Sequence, residues 1–261
     1  MAVLVAPAGS AAVDTKAVVG NLVPEVTSIS LPVSVQPLAG GLKTVNVTVT
    51  AVDGNSFQDL VSVDITVYKP DGTTVHIASA GAVSNGDGNG VAESYDHSFG
   101  MQFHDDPGVY TVTAVATDSQ GATSTPFSAN FTYEELVALA LSATAVDFGT
   151  LDPGTRSVSS TVGVTNKGNV KLDIDTSGTD LTDGSGHAIG VERVKYDLTN
   201  GTFTAESNLT ATPYTNSGFD LAKGASSSKN SHWRLDTPSG DEQYIPAGTY
   251  QGTVTISALK G

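Results

Sequence analysis

Cysteine is absent from the 261-residue chain, which excludes a disulfide framework, a thiolate metal site and a thiol nucleophile. Positive charge is scarce: 12 Lys and Arg stand against 27 Asp and Glu, for a net charge of −15. Such a balance repels phosphate backbones and anionic lipid alike, so a sequence-independent nucleic-acid binder is excluded. Charged residues of both signs make up only 15% of the chain, against about 25% in ordinary soluble domains. No apolar run reaches the roughly 18 residues that a membrane-spanning helix needs. Trp233 is the single tryptophan, so a sugar-stacking cleft is poorly provided for. Nucleophile-elbow, P-loop, H-E-x-x-H and dinucleotide-binding patterns are all missing. No residue is assigned a catalytic role, and no enzymatic activity is expected.

What is present is Thr, Val, Ser and Ala with 28 Gly, a composition suited to paired strands and tight turns. Residues 45–50 (VNVTVT) alternate apolar and polar side chains, the period of a strand with one buried face. Residues 61–68 (VSVDITVY) repeat the pattern and stop at Lys69-Pro70-Asp71-Gly72, a turn in which Pro fixes φ and Gly admits positive φ. A third strand, residues 110–116, is entered through Asp106-Pro107-Gly108. The pattern begins again after residue 136. There, residues 143–149 and 157–165 are expected to pair across the turn at 151–154, and residues 251–257 to form a last strand. Both halves place a Pro- and Gly-containing turn just before a Tyr, as DPGVY at 106–110 and PAGTY at 246–250. Residues 133–141 (YEELVALAL) read as a strand end, a linker and a strand start.

Domains run to about 100–150 residues, so two are expected. The fold class is all-β: two tandem Ig-like β-sandwich domains at 21–135 and 136–261, preceded by an extended segment at 1–20. That segment has no charge before Asp14 and no Lys or Arg ahead of its apolar stretch, and Pro7 and Gly9 interrupt it. It therefore reads as a mature segment that docks as a strand rather than as a secretory signal. Residues 1–139 carry 3 basic and 14 acidic side chains (−11), and residues 140–261 carry 9 and 13 (−4).

The stretches VDGNSFQDL (52–60), VSVDITVYKPDGTTV (61–75) and DPGVYTVTAVATDSQGATST (106–125) resemble the Ig-like and PKD-like domains of secreted prokaryotic proteins, archaeal surface proteins in particular. The second half is similar to a β-sandwich type found in archaeal and bacterial envelope and filament proteins. It is the segments VDFGTLDPGT, VGVTNKGNVKLDIDTSGTDL and IPAGTYQGTVTIS that carry this likeness. The resemblance spans about residues 40–260 and implies surface-layer, pilus-like or adhesive building blocks in an extracellular or cell-surface setting. Fold alone does not fix function.

Two oxygen-rich groups are candidate calcium sites. Asn85, Asp87 and Asn89 alternate with glycines, and Glu93 and Asp96 follow at the ninth and twelfth positions of a calcium-loop spacing. The bland reading is a polar hairpin loop. Asp53, Asn55, Asp59 and Asp118 are loop residues that converge if they share one sandwich end, where domains of the resembled type hold Ca²⁺. Here the bland reading is turn-forming acids. Glycosylation sequons occur at Asn46, Asn130, Asn200 and Asn208. The five histidines show no metal-binding spacing.

These features favour a structural subunit of an extracellular filament or surface lattice. Copies of the chain would join head to tail when the N-terminal segment of one completes an open sheet of the next. The segment's Ala2, Val3, Leu4, Val5, Ala11, Ala12, Val13, Val18 and Val19 are the expected subunit contacts. A monomeric adhesive or carbohydrate-binding module is the alternative, and it predicts an exposed aromatic platform.

Overall fold

The computed structural model describes residues 14–204 and 206–261. Of the expected subunit contacts, Ala2, Val3, Leu4, Val5, Ala11, Ala12 and Val13 lie outside the described residues. The chain is almost wholly β. In the first half the strands are β1 (Glu25–Ser30), β2 (Ser34–Val35), β3 (Leu42–Val52), β4 (Leu60–Tyr68), β5 (Val75–Gly81), β6 (Val83–Ser84), β7 (Ala92–Gln102), β8 (Gly108–Asp118) and β9 (Phe127–Tyr133).

These strands form two sheets, ordered β1-β3-β7-β6 and β2-β9-β8-β4-β5. The short β2 runs parallel to β9 while its neighbours are antiparallel. This strand order is that of an Ig-like sandwich. The alternation at 45–50 does what its period dictates: Val45, Val47, Val49 and Ala51 are buried, and β3 pairs with β7 without a slip from Leu42↔Gln102 to Val52↔Ala92. Val63, Ile65 and Val67 of β4 and Tyr110, Val112, Ala114 and Ala116 of β8 face them across one core.

The second half holds β10 (Leu139–Leu141), β11 (Ser160–Asn166), β12 (Leu172–Gly178), β13 (Leu181–Thr182), β14 (Ala188–Ile189), β15 (Val194–Asp197), β16 (Ser207–Asn208), β17 (Tyr214–Leu221), β18 (Ser228–Leu235) and β19 (Val254–Lys260). A five-stranded sheet, β10-β11-β18-β15-β16, faces a three-stranded one, β17-β12-β19, with β13-β14 as a separate pair. Trp233 is fully buried between the sheets, tilted against Tyr196 at 5.4 Å, and its indole N–H donates to Ser231 Oγ at 2.9 Å. Val164, Leu172, Ile174 and Phe219 form an adjoining cluster.

The two Tyr-containing turns fold alike. Tyr110 donates its hydroxyl to the carbonyl of Asp106, and Tyr250 donates to that of Pro246, both at 3.0 Å. Each closes a corner four residues deep that leads into the next strand. The linker at 134–138 is stitched to the second half by Asn169, which donates to Glu134 O at 2.8 Å and accepts from Leu136 N at 2.6 Å. Gly168 makes that approach possible, because a Cβ there would lie 2.0 Å from Leu136 O. From the other side, Gly40 N donates to Lys167 O at 3.0 Å, and Lys223 pairs with Asp106.

One expectation fails. Residues 143–149 form no strand, and only Ser160–Asn166 of the anticipated pair joins a ladder, with β10 and β18. The side chains of Ala143, Val146 and Phe148 turn part way toward the core, at a spacing that breaks the two-residue period of a strand. Their backbone has no ladder partner among the described residues.

Candidate functional site

Two places depart from a closed sandwich. The first is the edge of β19. By its position after the Tyr250 corner, β19 corresponds to β8, which follows the Tyr110 corner. The strand β8 is flanked by β4 on one side and β9 on the other, and its inward Tyr110, Val112, Ala114 and Ala116 have no exposed surface. By contrast β19 pairs, among the described residues, with β12 alone. Its inward Val254, Ile256 and Ala258 are only half-buried. No strand occupies its second edge among the described residues. A groove of about 1590 Å³ opens there, between residues 143–153 and 245–256. Val146, Phe148, Leu151, Ile245 and Tyr250 line its walls, and the buried Leu181, Val194 and Leu209 form its floor. Burial pushes the Tyr250 hydroxyl above its ordinary pKa, and nearby Asp183 adds to the shift. A strand edge with unspent N–H and C=O groups beside an apolar groove is a template for strand addition.

The second place is an acidic pole on the first half. Asp53 directly follows β3, Asp59 closes the short 3-10 turn Phe57–Asp59 ahead of β4, and Asp118 ends β8. Because Leu60 stands opposite Asp118 in the β4–β8 ladder, all three arrive at the same end of the sandwich. One carboxylate oxygen from each lies within 4.8 Å of the others. Asp53 and Asp118 are 0% and 1% exposed. Their backbone roles are clear. Asp53 Oδ1 accepts from Asn55 N at 2.8 Å, and Asp118 Oδ1 accepts from Gln120 N at 3.0 Å and Ala122 N at 2.7 Å. Hydrogen bonds from the Asn21 side chain, then from these backbone N–H groups, hold the Asp118 carboxyl below its ordinary pKa against the opposing effect of burial. Asp59 accepts from the Ser119 hydroxyl. Asp53 Oδ2 is buried and has no partner among the described residues.

The chain leading into the first sandwich crosses this pole. Asn21 donates to Asp118 Oδ2 at 2.8 Å, Leu22 N donates to Asn55 Oδ1 at 2.7 Å, and Asn55 Nδ2 donates to Gly20 O at 3.0 Å. Asn55, grouped with the three acids from sequence, is thus engaged with the incoming chain. Val18 and Val19 are 83% and 84% exposed and belong to no strand.

The calcium-loop spacing at 85–96 is not brought to one point. Asp53, Asp59 and Asp118 are the one such cluster of acidic or histidine side chains among the described residues. Asn85 accepts from Asp87 N, and Asp87 accepts from Ser94 N. Glu93 takes the hydroxyls of Ser84 and Tyr95, and Asp96 takes that of Thr48. The strand β7 begins at Ala92, so Glu93 and Asp96, three apart, project to opposite faces. Asn89 bridges back to Ala92 as part of the hairpin. The sequon residues Asn46, Asn130, Asn200 and Asn208 are all exposed.

No known family model matches the chain, and no curated protein matches it. Similarity is found among solved structures. The CsuC–CsuE chaperone–tip adhesion subunit complex of Acinetobacter baumannii Csu pili is 13% identical, with 88% of this chain and 99% of that one covered, at a TM-score of 0.37. A tetra-tandem repeat from the extending region of a large adhesion protein is 18% identical, covering 90% and 49%, at 0.32. The FN1–FN3 domains of chicken CNTN1 are 12% identical, covering 91% and 63%, at 0.30. This chain therefore spans about half of the adhesion-protein repeat structure. Identities and TM-scores this low carry no functional assignment.

Proposed function

We propose that the chain is a structural subunit of an extracellular filament or surface lattice, built of two sandwich units at 21–135 and 136–261. Copies join when residues 2–13 of one add as a strand to the free edge of β19 in the next. The observation that carries this reading is the contrast between β8, closed on both sides with a dry inner face, and β19, paired on one side with its inner face half-buried. The donor is AVLVAPAGSAAV, twelve residues without a charge. A seven-residue strand covers about 23 Å, and β19 has seven residues.

Direction follows from the topology. The chain enters the first half at the Asp118 end of β8, whereas β8's other end, Gly108, pairs with Tyr133 beside the junction. Donor and groove thus belong to opposite ends and different halves. Such a contact is heterologous, and it builds an open filament when its rotation does not close into a ring. The exposed sequon asparagines leave the outer surface open to glycosylation.

Electron microscopy of the full-length chain beside a variant lacking residues 2–13 tests the reading. Polymers from the first alone are expected, and a peptide of residues 2–13 added to the truncated protein should raise its Tm. Dispersed full-length protein at high concentration, together with a peptide that leaves Tm unchanged, would overturn it. An adhesive module would then need an aromatic platform from Phe127, Tyr214 or Tyr244, since Trp233 is buried.

A further inference from the structure

We infer that the acidic pole binds an oxygen-preferring divalent cation of the calcium type, and that the bound ion clamps residues 20–22 to the first sandwich. The inference does not rest on the assembly reading. Three carboxylates, two from the β3–β4 connection and one from the end of β8, present oxygens within 4.8 Å of one another. Ligand oxygens on opposite sides of one Ca²⁺ stand about 4.6–5.2 Å apart, so a single ion fits between them. No Lys, Arg or His lies within ion-pair distance of any of the three among the described residues.

An independent observation concerns Asp53 Oδ2. It belongs to a side chain with no exposed surface, and among the described residues it accepts no hydrogen bond while Oδ1 of the same group does. Buried carboxylate oxygens are seldom left unpaired, and the side chain that carries this one is a member of the cluster. The donor set is purely oxygen, which favours hard cations over zinc or copper. Asp118 Oδ1 and Asp53 Oδ1 are held by backbone N–H groups, so the aim of both carboxylates is fixed before an ion arrives.

The clamp follows from who else touches these groups. Asn21 holds the second oxygen of Asp118, and Asn55, two residues from Asp53, holds both Gly20 O and Leu22 N. Fixing Asp118 on an ion fixes the side chain that holds Asn21, and fixing Asp53, whose Oδ1 accepts from Asn55 N, steadies the residue that holds Gly20 and Leu22.

The test is calcium titration of the full-length protein by calorimetry, with hydrogen exchange read at the Leu22 amide. Extracellular calcium modules bind at roughly 0.1–1 mM, so about 10 mM saturates such a site. Expected are one binding event per chain, a raised Tm and at least a tenfold slowing of Leu22 exchange. Potassium chloride at equal ionic strength should do none of this. Asp53→Asn should lose at least tenfold in affinity. Asp59→Asn, half-buried at the rim and keeping an oxygen to accept from the Ser119 hydroxyl, should lose affinity, with circular dichroism showing that the apo protein is folded. Absence of calcium heat and of any Tm change in the wild type would overturn the site, as would undiminished binding in Asp59→Asn. Binding that leaves Leu22 exchange unchanged would overturn the clamp.

Discussion

Ile256 lies at the middle of β19, half-buried on the groove face and in contact with both apolar clusters of the second half. Its neighbour Thr255 points outward and is exposed. Ile256→Asp removes an apolar side chain that strand addition would bury fully. That loss amounts to about 1 kcal/mol, since half of the side chain is already covered in the free subunit. The carboxylate would also be closed into an apolar site without a partner, at a cost of several kcal/mol more. Even about 4 kcal/mol in total, at 1.4 kcal/mol per tenfold, weakens subunit joining roughly a thousandfold. Thr255→Asp changes charge equally on the opposite face and should shift association by less than about tenfold. Sedimentation velocity over a concentration series reads both variants against the wild type. Circular dichroism of the dilute proteins establishes that each is folded. Equal critical concentrations for wild type and a folded Ile256→Asp would refute the assignment of this edge as the acceptor.

Other expectations concern the fold that presents these sites. Tyr110→Phe removes the corner hydrogen bond to Asp106 O and should cost about 1 kcal/mol in urea unfolding, while an unchanged midpoint would deny the corner its role. Gly168→Ala places a methyl group against Leu136 O, which is backbone and cannot swing away. A lowered Tm with increased proteolysis within 134–138 is the result to look for, and wild-type resistance would count against the junction as described. Carboxyls held below their ordinary range include Asp87 by Ser94, Asp118 by Asn21 and Asp220 by Lys171. A depressed folded pKa contributes stability that is present above the unfolded value, near 3.9, and lost as pH falls through the folded one. The Tm should therefore hold from pH 7 to about 5 and drop below about pH 4, and a Tm that rises below pH 4 would contradict this sign.

Local periodicity was enough to read β3, β4 and β8, because a two-residue alternation fixes both strand and face within a few positions. Both Tyr corners were visible as turn motifs, although the hydrogen bonds that close them were not. Residues 143–149 depart from a strand for an instructive reason. Ala143, Val146 and Phe148 face inward, the step of three breaks the two-residue period, and no ladder partner is supplied among the described residues. Asp53, Asp59 and Asp118 could be grouped from sequence only as loop acids, since 65 residues separate the first from the last. Their convergence depends on the β4–β8 register, and the unpaired oxygen of Asp53 is a matter of packing alone. The spacing at 85–96 suggested ligands because its count was right. The strand that starts at Ala92 converts that count into opposite faces.

Asn169 grips the linker from within the second half, and Lys167 meets Gly40 from the first, so residues 134–138 are tied on both sides rather than strung between two bodies. A tether held in this way transmits torque. In a chain of such subunits, bending and twisting would concentrate at the contacts between copies and leave the interior of each copy stiff. The persistence length of the polymer would then report on the joint, and loosening Gly168 or Asn169 should make it more supple without changing its affinity for further subunits.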